Sequence, residues 1–217
     1  MLISLAHRFV FVANTKCAST SLVEVLAPFA PYRARGSARL KHLPLSQARR
    51  AFGLIFDDPD WPFDSFFRFG VMRDPLDWIA SWYRYRLQPG IDAALPPGTT
   101  FAQFWERGDW NIRRRDGRPF GQADKFLDDD GRCLADVILP YDRLAEGVEQ
   151  VCRGLGLTPL PLPRRNASPP ATSVIPPDLV APLRRHFARD YALFDQLATI
   201  NATGFGRMAE RNAACLT

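Results

Sequence analysis

A lysine followed by residues that carry hydroxyl groups occurs early in the chain, in the segment Lys16-Cys-Ala-Ser-Thr-Ser21. Apolar runs precede and follow this Lys16 segment (residues 16–21), which predicts a turn between a strand and a helix. In such a turn, backbone N–H groups and the helix dipole attract an anion, and an ammonium group and three hydroxyls add to the attraction. Phosphate or sulfate would suit the site. The lysine leads the turn, so the G-x-x-x-x-G-K-[ST] spacing is absent and ordinary ATP hydrolysis is disfavoured. A polar turn with a helix cap is the alternative interpretation.

A second cationic residue, Arg73, directly follows the apolar run at residues 66–72. Asp74 and Pro75 are typical of an N-cap and a first helical turn, but capping does not account for an arginine at a strand end. In a doubly wound sheet the ends of parallel strands share one edge, where ligands collect. We therefore predict that Lys16 and Arg73 lie in the same crevice.

The elements that position these residues follow from apolar periodicity. Strands are predicted at residues 8–13, 66–72 and 137–139, and helices at 22–26, 44–53, 75–87, 100–107, 142–155 and 178–197. This alternation predicts an α/β fold with a central parallel sheet, formed by a single domain of residues 1–217. In the helix at 75–87, Ser81 falls outside the apolar stripe, so it need not belong to the core.

The composition limits the function. The 217 residues are 47% hydrophobic and 24% charged, with a net charge of +5, which favours an anionic partner. Because no signal peptide or membrane-length apolar stretch is evident, we expect a soluble, cytoplasmic protein without a membrane span. The run Arg113-Arg-Arg115 is more typical of a solvated loop than of a nucleic-acid site. No metal site is predicted, since the spacing of the four cysteines does not suit one.

Two motifs resemble those of the sulfotransferases that use 3′-phosphoadenosine-5′-phosphosulfate (PAPS). Thr15-Lys-Cys-Ala-Ser-Thr-Ser-Leu22 resembles their 5′-phosphosulfate loop, and Arg73-Asp-Pro-x5-Ser81-Trp-Tyr83 resembles their 3′-phosphate motif. The resemblance is closest to the Golgi-type carbohydrate sulfotransferases and their bacterial relatives. It implies a P-loop-like three-layer fold with a central parallel sheet flanked by helices. Weaker matches follow in the family's order and extend the resemblance over most of the chain: Asp136-Val-Ile-Leu-Pro-Tyr-Asp-Arg-Leu144, Leu155-Gly156, Asn166-Ala-Ser168 and Arg189-Asp-Tyr-x-x-Phe194.

The resemblance assigns roles to individual residues. Arg73 and Ser81 would bind the 3′-phosphate, and Lys16 would stabilise the departing phosphate. Arg165 lies in a proline-rich stretch, residues 158–177, which is predicted to be a long loop; family members close over the nucleotide there, so Arg165 is a further candidate contact. PAPS would be a co-substrate, and no metal ion would be required. The 5′-phosphosulfate would be bound by Lys16, Cys17, Ala18, Ser19, Thr20 and Ser21.

The candidate general base is His42. The pair Lys41-His42 before a helix resembles an element of the bacterial members, and a neutral imidazole can accept a hydroxyl proton near physiological pH. Glu24, Asp77 and Glu106 are alternative carboxylate bases.

The expected activity is transfer of a sulfuryl group from PAPS to an acceptor hydroxyl, with a carbohydrate, anionic in keeping with the basic chain, as the expected partner. Two alternatives are a variant P-loop small-molecule kinase and a catalytically silent nucleotide-binding protein of the same fold. Departures from the family pattern keep the silent protein as an alternative: Thr15 replaces the usual proline, Ala18 a common glycine, and Trp78 a frequent arginine. The oligomeric state is not predicted, because no heptad pattern is present.

Overall fold

A computed structural model of the protein describes residues 1–34, 38–91, 93–108, 120–158 and 174–214. Its centre is a mixed sheet of five strands, β1 (Leu2–Ser4), β2 (Phe9–Val12), β3 (Tyr32–Arg33), β4 (Phe67–Met72) and β5 (Val137–Pro140). The strands lie in the order β3-β1-β2-β4-β5. The α/β class and the three predicted strands are therefore confirmed.

The direction of the strands differs in part from the prediction. β2, β4 and β5 are parallel to one another, whereas β1 pairs antiparallel with both β2 and β3. The sheet is therefore mixed and not parallel throughout. β1 and β3 escaped prediction because they are only three and two residues long. The four residues between β1 and β2 allow a tight antiparallel connection, which a parallel pair could not use.

The helices follow the predicted periodicity most closely in the middle of the chain. One predicted helix, at residues 178–197, is broken at Phe187 into two helices, Pro177–His186 and Ala188–Phe194. Gly53 was predicted to end a helix, but it begins the helix Gly53–Phe56. The helices of the described residues are α1 (Ser19–Leu26), α2 (Ala38–Lys41), α3 (Leu45–Ala51), α4 (Gly53–Phe56), α5 (Pro75–Arg86), α6 (Phe101–Arg107), α7 (Leu144–Gly154), α8 (Pro177–His186), α9 (Ala188–Phe194) and α10 (Leu197–Ala214).

Alternate residues of the strands enter two hydrophobic clusters, as the two-residue period of a strand requires. In β2, Phe9 and Phe11 belong to one cluster, together with residues of α1, α5 and α7. Val10 and Val12 belong to the other, together with residues of α3 and α9. Because apolar side chains cover both faces of β2, this strand and its C-terminal end are held in a rigid core.

Helix α10, which was not predicted, covers the edge strand β5. Asn201 accepts a hydrogen bond from the backbone N–H of Ile138 (2.7 Å) and donates one to its carbonyl oxygen (2.8 Å). The side-chain amide therefore replaces a neighbouring strand and blocks further pairing at this edge. Gly204 allows the close approach, because a Cβ atom at this position would lie 1.9 Å from the carbonyl oxygen of Asp136.

Some predictions lie outside the described residues, namely those for Arg165 and for most of the proline-rich stretch, as well as the Arg113-Arg-Arg115 run. Within the described ranges, no helix has the length and apolar character needed to cross a membrane. The same part of the chain holds no group of three or more metal-ligating side chains.

Candidate functional site

The three parallel strands end at one edge of the sheet, and two of these ends lead into predicted site residues. The Lys16 segment follows β2, Arg73 follows β4, and Tyr141 follows β5. The register pairs Val12 with Gly70 and Met72 with Pro140, so the three ends lie side by side. The Arg73 guanidinium lies over the Tyr141 ring, with 4.5 Å between its central carbon and the ring centroid.

The Lys16 segment turns sharply into α1. Lys16 and Ala18 both have left-handed backbone conformations, with φ of 59° and 53°. Ala18 is the N-cap of α1, and no side chain caps this helix end. Ser19 and Ser21 are buried, whereas Thr20 is exposed. The first-turn N–H groups of α1 therefore lack a side-chain acceptor, which is the arrangement that favours an anion at a helix N-terminus.

Arg73 repels two other cationic side chains at this edge. Burial, followed by repulsion from Arg73, lowers the pKa of Lys16 to about 8. Burial, followed by the same arginine, also lowers the pKa of Arg84 on α5, while Asp77 opposes this shift. Lys16, Arg73 and Arg84 thus form an electropositive group, whose mutual repulsion an anion would relieve.

Arg73 is the most deeply buried member of this group, with 5% of its surface exposed. Its Nε atom is buried and has no hydrogen-bond partner. No carboxylate within the described part of the chain forms an ion pair with it. A buried and unpaired donor on a cation is costly unless a ligand satisfies it, so the residues present fit a phosphate group.

Gln122 connects the two candidate motifs and was not predicted. Its side chain is fully buried and its Oε1 atom accepts hydrogen bonds from Asn14 Nδ2 (3.1 Å), Cys17 Sγ (3.3 Å) and the backbone N–H of Arg73 (3.1 Å). Its Nε2 atom donates to the carbonyl oxygen of Arg73 (2.8 Å). Its backbone N–H is bound in turn by Asp190 (3.1 Å). One amide thus fixes the Lys16 segment relative to the Arg73 backbone.

Cys17 takes part in this network as a structural thiol. Its Sγ atom accepts from Asn14 Nδ2 (3.3 Å), and complete burial is the main cause that raises its pKa to about 12. A thiol that stays protonated is a poor nucleophile. A contact with the ligand through the side chain of Cys17 is therefore less favourable than one through its backbone N–H.

His42 is attached to the same edge of the sheet. Its Nδ1 atom lies 2.7 Å from the carbonyl oxygen of Ala13, which directly follows β2. Since a carbonyl oxygen only accepts, Nδ1 carries the proton and Nε2 has the lone pair of the neutral ring. Burial is the main cause that lowers the pKa of His42 to about 4, and Lys125 and Lys41 contribute. At neutral pH the imidazole is therefore uncharged and its Nε2 lone pair is available, and the lowered pKa makes it a weaker base than an ordinary histidine.

Lys125 contacts the backbone of His42. The side chain is 5% exposed, and its Nζ atom donates a hydrogen bond to the backbone carbonyl oxygen of His42. Burial lowers the pKa of Lys125 to about 7. Lys125 thus holds the backbone of the histidine and disfavours its protonation.

Ser81 and Trp78, two further residues of the segment that resembles the 3′-phosphate motif, are both buried. Ser81 is 6% exposed, so it is a buried residue of α5 and not a surface serine. Trp78, at the position where the family frequently has arginine, donates from Nε1 to the carbonyl oxygen of Thr15 (2.9 Å). The indole thus fixes the backbone just before Lys16.

Gln122 and Lys125, which sequence reasoning missed, carried no local signal. They lie in and beside the short 3₁₀ helix Ala123–Lys125, outside any motif, and only the fold brings them to the strand ends. Asn14, also missed, offered a weak signal as a polar residue just after the predicted strand at residues 8–13.

Comparison of the chain with protein-family models, with curated proteins and with solved structures gives no match. The fold and the site define an α/β protein with a cationic group at the carboxyl edge of its parallel strands.

Proposed function

We propose that the protein is a sulfotransferase that uses PAPS and transfers its sulfuryl group to an acceptor hydroxyl. The observation that supports this most is the pairing of Lys16 with Arg73, two cationic residues at the ends of neighbouring strands. The buried, unpartnered Nε atom of Arg73 adds a donor without an acceptor. PAPS carries phosphate groups at two separated positions, and charge-assisted bonds from a lysine and an arginine can bind both.

We also propose that the fold is a P-loop-like three-layer fold. A P-loop-like three-layer arrangement accords with the strand, turn and helix unit formed by β2, the Lys16 segment and α1. The order of the two motifs along the chain, which resembles the sulfotransferase order, supports it as well.

In the proposed reaction, Nε2 of His42 accepts the acceptor's hydroxyl proton while the hydroxyl oxygen forms a bond to sulfur. The bond between sulfur and the bridging phosphate oxygen breaks, and the nucleotide leaves as adenosine 3′,5′-bisphosphate. Lys16 and the N–H groups of α1 stabilise the charge on the leaving phosphate. Arg73 and Ser81 bind the 3′-phosphate. The acceptor is proposed to be a carbohydrate.

Binding measurements test the donor. Calorimetry should show tighter binding of adenosine 3′,5′-bisphosphate than of adenosine 5′-phosphate or of ATP with Mg²⁺. Arg73→Ala should weaken the bisphosphate about 10- to 100-fold, the equivalent of one charged hydrogen bond, and leave adenosine 5′-phosphate almost unchanged. Arg143→Ala is the matched control, because this exposed arginine pairs with Glu146 instead. Preference for ATP, or equal losses for both adenosine nucleotides, would contradict the proposal.

Turnover separates the sulfotransferase from the catalytically silent alternative, which the departures from the family pattern at Thr15, Ala18 and Trp78 leave in place. Radiolabelled PAPS incubated with a panel of glycans and small alcohols should label at least one acceptor. His42→Ala should retain bisphosphate binding and lower turnover by about two to four powers of ten. Tight bisphosphate binding without transfer to any member of the panel would favour the silent protein.

A further inference from the structure

The ammonium group of Lys16 lies against two aromatic rings of α5. Its Nζ atom is 4.0 Å from the centroid of the Tyr85 ring and 5.9 Å from that of Trp82. The two rings are arranged edge to face, with centroids 5.9 Å apart and an interplanar angle of 78°. A cation within about 6 Å of a ring centroid is attracted by the ring's quadrupole. Tyr85 therefore makes the closer of two cation–π contacts with Lys16.

Helical spacing explains why these rings meet Lys16. Trp78, Trp82 and Tyr85 are separated by four and three residues, so they lie on one face of α5. Trp78 and Trp82 also pack edge to face, at 6.3 Å and 87°. The first ring binds the carbonyl oxygen of Thr15 through Nε1, and the last contacts the ammonium group of the next residue in the chain. One face of α5 thus holds both the backbone just before Lys16 and the ammonium group at the end of its side chain.

The surroundings of Lys16 otherwise disfavour its charge. Burial has the largest effect on its pKa, Arg73 at the end of β4 adds repulsion, and Cys17 of its own segment acts weakly in the opposite direction. No carboxylate of the described residues is among the groups that set this pKa. Apart from Cys17, the neighbours that attract the ammonium form are therefore the rings of Tyr85 and Trp82, which face Lys16 from α5. They also restrict a side chain that otherwise has many rotamers.

We propose that Tyr85, with Trp82 beside it, is a positioning residue that holds the Lys16 ammonium group, charged and oriented, at the phosphate site. The role of Lys16 toward phosphate rests on the proposed function, but the contact with Tyr85 can be tested without a ligand. The face of the ring, and not its hydroxyl, makes the contact. A phenylalanine at position 85 should therefore preserve the contact with Lys16, whereas an aliphatic side chain should abolish it.

The ligand-free test is an NMR titration of protein that carries ¹³C-labelled lysine. The chain has three lysines, and Lys16→Arg identifies the Lys16 signal by its loss. We expect this signal to titrate below the ordinary lysine range in the unaltered protein, because burial lowers the pKa of Lys16. Tyr85→Phe should keep that midpoint, and Tyr85→Leu and Tyr85→Met should each lower it by about one unit. An unchanged midpoint in both aliphatic variants, or the same shift in Tyr85→Phe, would overturn the proposal.

The functional test measures adenosine 3′,5′-bisphosphate binding as pH rises through the Lys16 midpoint. Affinity in the unaltered protein and in Tyr85→Phe should fall as Lys16 loses its proton, whereas in Tyr85→Leu the fall should begin about one pH unit lower. Identical pH profiles for all three proteins would overturn the positioning role. If the ligand-free titration shifts as expected but the bisphosphate does not bind the unaltered protein, the proposed function fails and the contact between Tyr85 and Lys16 is upheld.

Discussion

Replacing Gln122 with methionine should lower the free energy of unfolding, because the Gln122 amide joins the Lys16 segment to the backbone of Arg73. The fully buried amide accepts from the Arg73 N–H and donates to the Arg73 carbonyl oxygen, and methionine of similar length can do neither. Each buried backbone group left without a partner costs about 1–3 kcal/mol, so the two together should cost about 2–6 kcal/mol. Asn14 is affected less, because its Nδ2 atom also donates to the carbonyl oxygen of Val71 (3.0 Å).

The assay is equilibrium unfolding in urea, followed by the fluorescence of the five tryptophans. The midpoint should fall while the slope stays constant, because the same surface is exposed on unfolding. The matched control is Gln196→Met, since Gln196 is exposed and its Nε2 atom donates only to the carbonyl oxygen of Ala192. The control should change the unfolding free energy by less than about 0.5 kcal/mol. Equal losses in the two variants would refute the role assigned to Gln122.

Three more predictions concern backbone conformation, packing and protonation. Ala18→Gly should raise the unfolding midpoint in urea, because glycine relieves a left-handed conformation that costs alanine about 1 kcal/mol or more. The control is Ala27→Gly, at a right-handed position, which should lower the midpoint. Gly204→Ala should destabilise the protein by about 1–3 kcal/mol in the same assay, since its Cβ would meet the backbone of β5, and Gly206→Ala, with open space around it, should be neutral or stabilising. The lowered pKa of His42, about 4 against 6.5, leaves the ring neutral well below pH 6.5, so turnover measured from about pH 5 to pH 7 should show no acid limb from this group.

Each of these predictions has an outcome that contradicts it. Destabilisation by both alanine-to-glycine changes would mean that Ala18 is not strained. Equal effects at the two glycines would mean that α10 does not approach β5 closely. If turnover decreases as the pH is lowered through 6.5, while circular dichroism shows that the protein stays folded, His42 is protonated too readily to be the buried base.

Local sequence patterns predicted β2, β4 and β5 and helices α5, α6 and α7 to within about two residues, because apolar periodicity and capping residues act over one or two turns. Thr100 illustrates this, since its capping box with Gln103 begins α6 where expected. α10 escaped prediction because two glycines and several polar residues weaken its helical pattern. Its formation depends instead on packing against β5.

The sequence by itself determined the chemistry available at the candidate site. A lysine and hydroxyls after one strand, an arginine after another and a histidine before a helix indicate anion binding and proton transfer, since side-chain type sets charge and pKa range. The tertiary structure alone decided how these groups act together. Gln122 meets Arg73 across 49 positions and Asn14 across 108, a separation over which no local pattern carries information. Burial at the strand ends, which exists only in the folded chain, then lowers the pKa of Lys16 and His42 and leaves Nε of Arg73 without a partner.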